Sequence, residues 1–147
     1  FSLTLQTLRN WFGISSPVIG VLGLNPHAGE AGDIGKEEQK IIFPVIKTFQ
    51  TRGEFIEGPL PADTAFIEKY RERYDAFIAM YHDQGLIPFK LLSFENGVNI
   101  TMGLPFPRVS VDHGTGLDIA GKGVARPESL RKAIRWAIKM ISSKNSG

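Results

Sequence analysis

The chain holds three histidines, and each lies in a polar run that directly follows an apolar one: His27 in "NPHAGE", His82 in "YHDQG" and His113 in "DHGTG". A single histidine after a strand more often makes one backbone hydrogen bond than binds a ligand. Three out of three at such points shift the balance towards shared chemistry. There is no cysteine, so a disulfide framework and a thiolate metal site are excluded, and a transition-metal site must draw on His, Asp or Glu. Around the histidines stand groups with complementary roles. Asp83 either orients His82 or simply turns the chain. Asp63 is placed to act as a general base or to cap a helix. Lys90, in "IPFK", and Arg108, opening "RVSVD", suit a phosphate or carboxylate, or else a solvated surface and a rim ion pair. The glycines of "DHGTGLDIAGKG" would let a backbone approach a nucleotide with its N–H groups as donors, although ordinary turns use glycine equally well. No G-x-G-x-x-G with a downstream acidic residue lies between a strand and a helix, so a Rossmann dinucleotide site is not supported.

These groups must be positioned by alternating strands and helices. "PVIGVLGL", residues 17 to 24, reads as a buried strand stopped by Asn25 and Pro26. Ile41, Ile42, Val45, Ile46 and Phe49 have helical spacing, and Pro44 predicts a break near residue 43. The segment from Thr64 to Tyr74 reads as a short amphipathic helix carrying Phe66, Ile67 and Tyr70 on one side, with Asp63 as its cap. "DAFIAM", "VNITMG" and "RVSVD" are three further strands. Leu130, Ala133, Ile134, Ala137, Ile138 and Ile141 mark one apolar stripe of a closing helix, with Lys and Arg on its other face. In the opening "FSLTLQTLRNWFG", Leu3, Leu5, Leu8, Trp11 and Phe12 fall on one helical face that needs a partner surface. Strand, glycine loop, helix, repeated, is the α/β class with a layered sheet. Ligands of such sheets sit beyond the carboxyl ends of the strands. All three histidine clusters would then converge on one edge.

A chain of 147 residues with 42% apolar content buries one core, so one compact domain or one large piece of a bigger one is expected. Its 17 basic and 15 acidic residues leave a net charge of +2, with no Lys/Arg cluster to track a phosphate backbone, so nucleic acid is not an expected partner. No apolar run reaches the roughly 18 residues of a membrane span, and the opening segment has a helical rather than a signal-peptide pattern. A soluble, cytoplasmic protein is expected. The chain starts on Phe1 with a one-sided helix, which points to a piece of something longer.

Taken together, "GLNPHAGEAGDIGKEE", "GPLPADT", "YHDQGLIPFK" and "GVNITMGLPFPRVSVDHGTGLDIAGKG" resemble the 4-hydroxythreonine-4-phosphate dehydrogenase family of pyridoxal phosphate biosynthesis, in order and across residues 17 to 140. The resemblance implies a homodimer of two-domain α/β subunits, layered α/β/α and akin in fold to isocitrate and isopropylmalate dehydrogenases, with residues 1–147 as the C-terminal portion. It implies oxidation of 4-phosphooxy-L-threonine by NAD or NADP to a β-keto acid that loses carbon dioxide, leaving 3-amino-2-oxopropyl phosphate. A divalent cation (zinc, magnesium or cobalt) would be held at the dimer interface by three histidines. Two of these match His27 and His82, and the third would lie upstream of Phe1. Family substrate positions match Lys90, Asn99 and Arg108, and the loop with His113, Gly114, Thr115 and Asp118 resembles one that embraces the cofactor's adenosine end. Family members commonly read "GTAFDIAG" where this chain has "GTGLDIAG", so Gly116 and Leu117 depart from the pattern.

Asp63 and Asp83 stay open as alternatives for the general base. With a ligand missing, the 147-residue chain by itself is expected to have little or no activity. Related dehydrogenases of threonate or erythronate 4-phosphate would share these motifs. A non-catalytic dimerisation or anion-binding module would keep the same strands and make the histidines ordinary.

Overall fold

An unbroken apolar run leaves no face for solvent, and the one after Pro17 is used accordingly. In the computed structural model, which describes residues 1–94, 96–112 and 114–144, β1 (Val18–Leu22) is the middle strand of a parallel sheet, between β2 (Phe55–Leu60) and β3 (Ala76–Ile78). Ile19, Val21 and Leu22 have no exposed surface, as a parallel strand covered on both faces requires. Ile19 stands opposite Ile56 of β2 and Ala76 of β3. Helix α2 (Phe43–Gln50) packs on β2 and buries Ile46; each such aliphatic side chain contributes about 1.5–3 kcal/mol. The break expected near residue 43 is a change of winding and not an interruption: a π-helical turn over Glu38–Ile42 runs directly into α2 with Ile42 and Phe43 both right-handed helical, and Pro44 falls in the first turn of α2.

The single helix expected from Thr64 to Tyr74 is instead two short ones, α3 (Ala62–Ala65) and α4 (Glu68–Arg71), with Ile67 extended between them. Phe66 and Tyr74 both clasp the ring of Phe77, each at 5.0 Å between centroids. A continuous helix would hold positions 66 and 74 about 12 Å apart, too far to grip one ring. The Tyr74 hydroxyl also donates to Glu57 at 2.8 Å, and Arg73 pairs with the same carboxylate at 3.1 Å. Asp63 therefore does not cap the helix; it sits inside the first turn of α3, behind Pro61.

"YHDQGLIPFK", read from sequence as a polar cluster at a strand end, is mostly helical. It opens α5 (His82–Ser93), which continues through Gly85 and Pro88. The chain divides into two compact units, Ser16–Pro88 and Phe1–Ser15 with Phe89 onward, so α5 begins in one and ends in the other.

In the second unit, β4 (Val98–Thr101) and β5 (Arg108–Val111) pair antiparallel as a separate two-stranded sheet. The expected single layered sheet is thus two sheets among the described residues. Six residues connect these strands, a hairpin's length, whereas a parallel partner needs a crossover of a dozen or more. Helix α6 (Glu128–Lys144) covers this sheet and packs on α1 (Ser2–Phe12). Leu5, Leu8, Ala133 and Met140 are buried there, and the Phe12 ring lies 5.2 Å from that of Trp136. The expected apolar stripe of α6 is wider than its cover: Leu130, Ile134, Ile138 and Ile141 remain 49–59% exposed. Among the described residues no helix is long and apolar enough to cross a membrane.

Candidate active site at one edge of the parallel sheet

Parallel strands deliver their carboxyl ends to the same edge. Residues after β1 carry Asn25 and His27, those after β2 carry Asp63, and those after β3 carry Tyr81, His82 and Gln84. A cavity of about 290 Å³ lies at this edge, walled by Asn25, His27, Asp63, Tyr81 and Gln84 among others. His27 and Asp63, both singled out from sequence, are thereby brought together. His82 opens α5 directly beside Tyr81 but is not part of the cavity wall, and Asp83 is exposed in the first turn of that helix.

The loop bearing His27 has an unusual backbone. His27, Ala28, Glu30 and Ala31 all have positive φ, between 45° and 57°, and with Gly29 they form one left-handed turn inside Pro26–Gly32. Each non-glycine residue held that way costs about 1–2 kcal/mol, so the turn survives only if its surroundings over-determine it. They do. The loop folds back so closely that a Cβ on Gly23 would stand 2.8 Å from Cα of Ala28, and one on Gly29 would stand 2.5 Å from the Glu38 carboxylate. Gln39 donates its side-chain N–H to the Ala31 carbonyl at 2.6 Å. Ala31 is exposed, so Ala31→Gly should relieve strain without opening a cavity and stabilise the protein by about 1 kcal/mol. Urea unfolding of the two forms checks this.

Glu38 is the anchor that sequence reasoning missed, because "GKEEQK" looks like solvated surface. It is only 3% exposed. One carboxylate oxygen accepts the backbone N–H groups of Leu24 and Asn25, both at 2.7 Å, and the other accepts the Asn25 side-chain N–H at 2.9 Å. Burial pushes this carboxyl upward. The hydrogen bonds from the Asn25 backbone and side chain, with smaller help from the N–H groups of Glu38 and Leu24, outweigh burial and hold it below the usual value of 4.5. Asn25 was read only as a strand stop; it also donates to Glu37 at 2.8 Å.

The other unit carries the remaining sequence candidates. Asn99 and Arg108 lie on one exposed face of the β4–β5 hairpin, where Asn99 pairs in register with Ser110 and Thr101 with Arg108. Arg108 donates to the Thr101 hydroxyl at 2.7 Å. Lys90 forms an ion pair with Asp112. Both line a cavity of about 410 Å³ together with Gly114 and Arg126; Asp112 and Arg126 were not anticipated from sequence. Thr115 and Asp118 are exposed, and His113 lies outside the described residues.

A sequence model described as pyridoxal phosphate biosynthetic protein PdxA matches residues 1–137. The chain belongs to the PdxA family. A 4-hydroxythreonine-4-phosphate dehydrogenase of Ruegeria sp. is 55% identical over 97% of this chain and 44% of its own length. A crystal structure of the 4-hydroxythreonine-4-phosphate dehydrogenase from Klebsiella pneumoniae superimposes with a TM-score of 0.80 at 45% identity, over 97% of this chain and 42% of that one. A terephthalate 1,2-cis-dihydrodiol dehydrogenase from Burkholderia xenovorans gives 0.72 at 38% identity, over 94% and 43%. The chain therefore spans less than half the length of the PdxA-family proteins it matches, and its mixed α/β architecture with a parallel sheet is theirs.

Proposed function

We propose that the whole protein containing this chain oxidises 4-phosphooxy-L-threonine with NAD or NADP to a β-keto acid that decarboxylates to 3-amino-2-oxopropyl phosphate, in pyridoxal phosphate biosynthesis. Supporting this reading, in a chain of the PdxA family, is the meeting of His27 and Asp63 on one cavity at the carboxyl edge of a parallel sheet. We further propose an isocitrate dehydrogenase-like fold, a cytoplasmic homodimer with its active site at the interface, and a C-terminal place for these residues.

The donor chemistry fits part of a metal centre. Imidazoles following two neighbouring strands suit zinc or cobalt, yet among the described residues no three His, Asp or Glu side chains gather to hold a cation. His27 and His82 would be this chain's share of the site, with a third ligand from elsewhere in the whole protein. When bound, a divalent cation is a Lewis acid for an alcohol oxygen, and a nicotinamide is a hydride acceptor.

The chain's own residues do the rest. Asp63, on the cavity wall, takes the hydroxyl proton; Asp83 is the alternative base. Lys90 and Arg108 hold substrate anions, Arg108 through its planar fork, and Asn99 adds a neutral hydrogen-bonding group on the same sheet face as Arg108. An anion reaching Lys90 competes with Asp112 for its ammonium. The loop of His113, Gly114, Thr115 and Asp118 receives the cofactor.

A second reading keeps the fold and changes the substrate, since a neighbour of this architecture is named for a cis-dihydrodiol; threonate or erythronate 4-phosphate are the alternatives. The test is turnover by the whole protein with each substrate, NAD and cobalt. The proposal requires 4-phosphooxy-L-threonine to have the highest kcat/KM by at least about tenfold, equivalent to 1.4 kcal/mol of transition-state binding. A higher value for a sugar acid phosphate would replace it with the second reading. The 147-residue chain alone should give little or no turnover.

A further inference from the structure

The hydrogen-bond ladder between β1 and β3 stops at the pair Val21 and Ile78, before the chain reaches the loop that carries His27 and the helix start that carries His82. Beyond it, one side chain takes over. Gln84 is 8% exposed; its amide N–H donates to the Gly23 carbonyl at 2.7 Å, and its amide oxygen accepts the Met80 N–H at 2.7 Å. Gly23 in turn donates its own N–H to the Leu60 carbonyl at 2.8 Å, at the end of β2. The Gln84 amide thus extends the sheet by one rung where the backbones of β1 and β3 no longer pair, and all three strand ends are joined through Gly23.

We propose that Gln84 is a positioning residue whose side-chain amide sets the separation of the loop bearing His27 from the N-terminus of α5, which bears His82. The proposal rests on the reading of those histidines as cation ligands. His82 precedes Gln84 by two residues, and His27 follows Gly23 by four, so a change in this bridge reaches both imidazoles through short stretches of chain. A primary amide offers a donor and an acceptor side by side without titrating. Glutamate at this position keeps the acceptor for Met80 and sets a carboxylate oxygen against the Gly23 carbonyl. Methionine keeps the shape and loses both bonds.

The test titrates the whole protein with cobalt(II) chloride, reading the ion's visible absorption and the protein's melting curve, for the unchanged protein, His82→Ala, Gln84→Glu and Gln84→Met. The expected result is cobalt binding that disappears in His82→Ala, with both Gln84 variants still melting cooperatively. Their cobalt affinity should fall about 10- to 100-fold, as for other groups that orient a ligand, and the absorption band should change shape. A purely structural role would lower the melting temperature and leave affinity and band unchanged, overturning the proposal. Loss of cooperative melting in both variants would overturn it as well, making Gln84 a general stability element. An unchanged protein whose cobalt binding ignores His82 removes the ligand reading underneath, a result distinguishable from the other two.

Discussion

Replacing Glu38 by alanine should lower the stability of the protein by about 3 kcal/mol, the cost of stripping charged hydrogen bonds from donors that then lack partners. The donors are identified: the backbone N–H groups of Leu24 and Asn25 and the side-chain N–H of Asn25. Glu38→Gln retains one acceptor oxygen and should cost about 1 kcal/mol. Because the folded-state carboxyl lies below 4.5, Glu38's contribution is fully present above that pH and is lost as the pH falls through the depressed folded value. The gap between the native protein and Glu38→Ala should therefore be constant from neutrality to about pH 5 and narrow below about pH 4. Urea titrations across that range measure it, and a gap that widened in acid would contradict the assignment. The loss is large against a total stability of about 5–15 kcal/mol. It would fall first on the left-handed turn that presents His27.

Asp63→Asn in the whole protein should reduce kcat by about 10²- to 10⁴-fold, the usual worth of a positioned general base, with KM little changed. The side chain keeps its size and its place on the cavity wall that it shares with His27, and it loses its charge and with it the ability to take a proton. Asp83→Asn removes the same charge away from the cavity wall, in the exposed first turn of α5, where a carboxylate stabilises the helix by about 0.3–1 kcal/mol. Steady-state kinetics on the two variants separates the alternatives that sequence left level. Equal losses in both, or a larger loss in Asp83→Asn, would move the base to position 83.

Much of this architecture was legible because it is encoded locally. β1, β3 and the two hairpin strands are apolar runs bounded by turn residues, and α1 and α6 repeat their apolar positions at helical spacing. The failures came where distant contacts decided. The run from Thr64 to Tyr74 has helical periodicity, yet the ring of Phe77 draws in both Phe66 and Tyr74 and breaks it. Gly85 and Pro88 leave α5 without a helical signature in the sequence. The pairing of β4 with β5 alone is a matter of connection length rather than strand character. At the candidate site, His27 and Asp63 were visible as chemistry at strand ends. Glu38 and Gln84 were not, because nothing in a charged hexapeptide or a polar motif shows that one carboxylate and one amide are buried and committed to backbone partners.

The uncovered flank of α6 affects how the isolated polypeptide behaves in solution. Leu130, Ile134, Ile138 and Ile141 form an oily strip beside the cations of Arg131, Arg135 and Lys139. Mutual repulsion among those cations holds copies apart when ions are scarce. At roughly molar salt, where charges are screened beyond about 3 Å, that protection vanishes and aliphatic adhesion is unopposed, so the fragment stays dispersed most readily in dilute buffer.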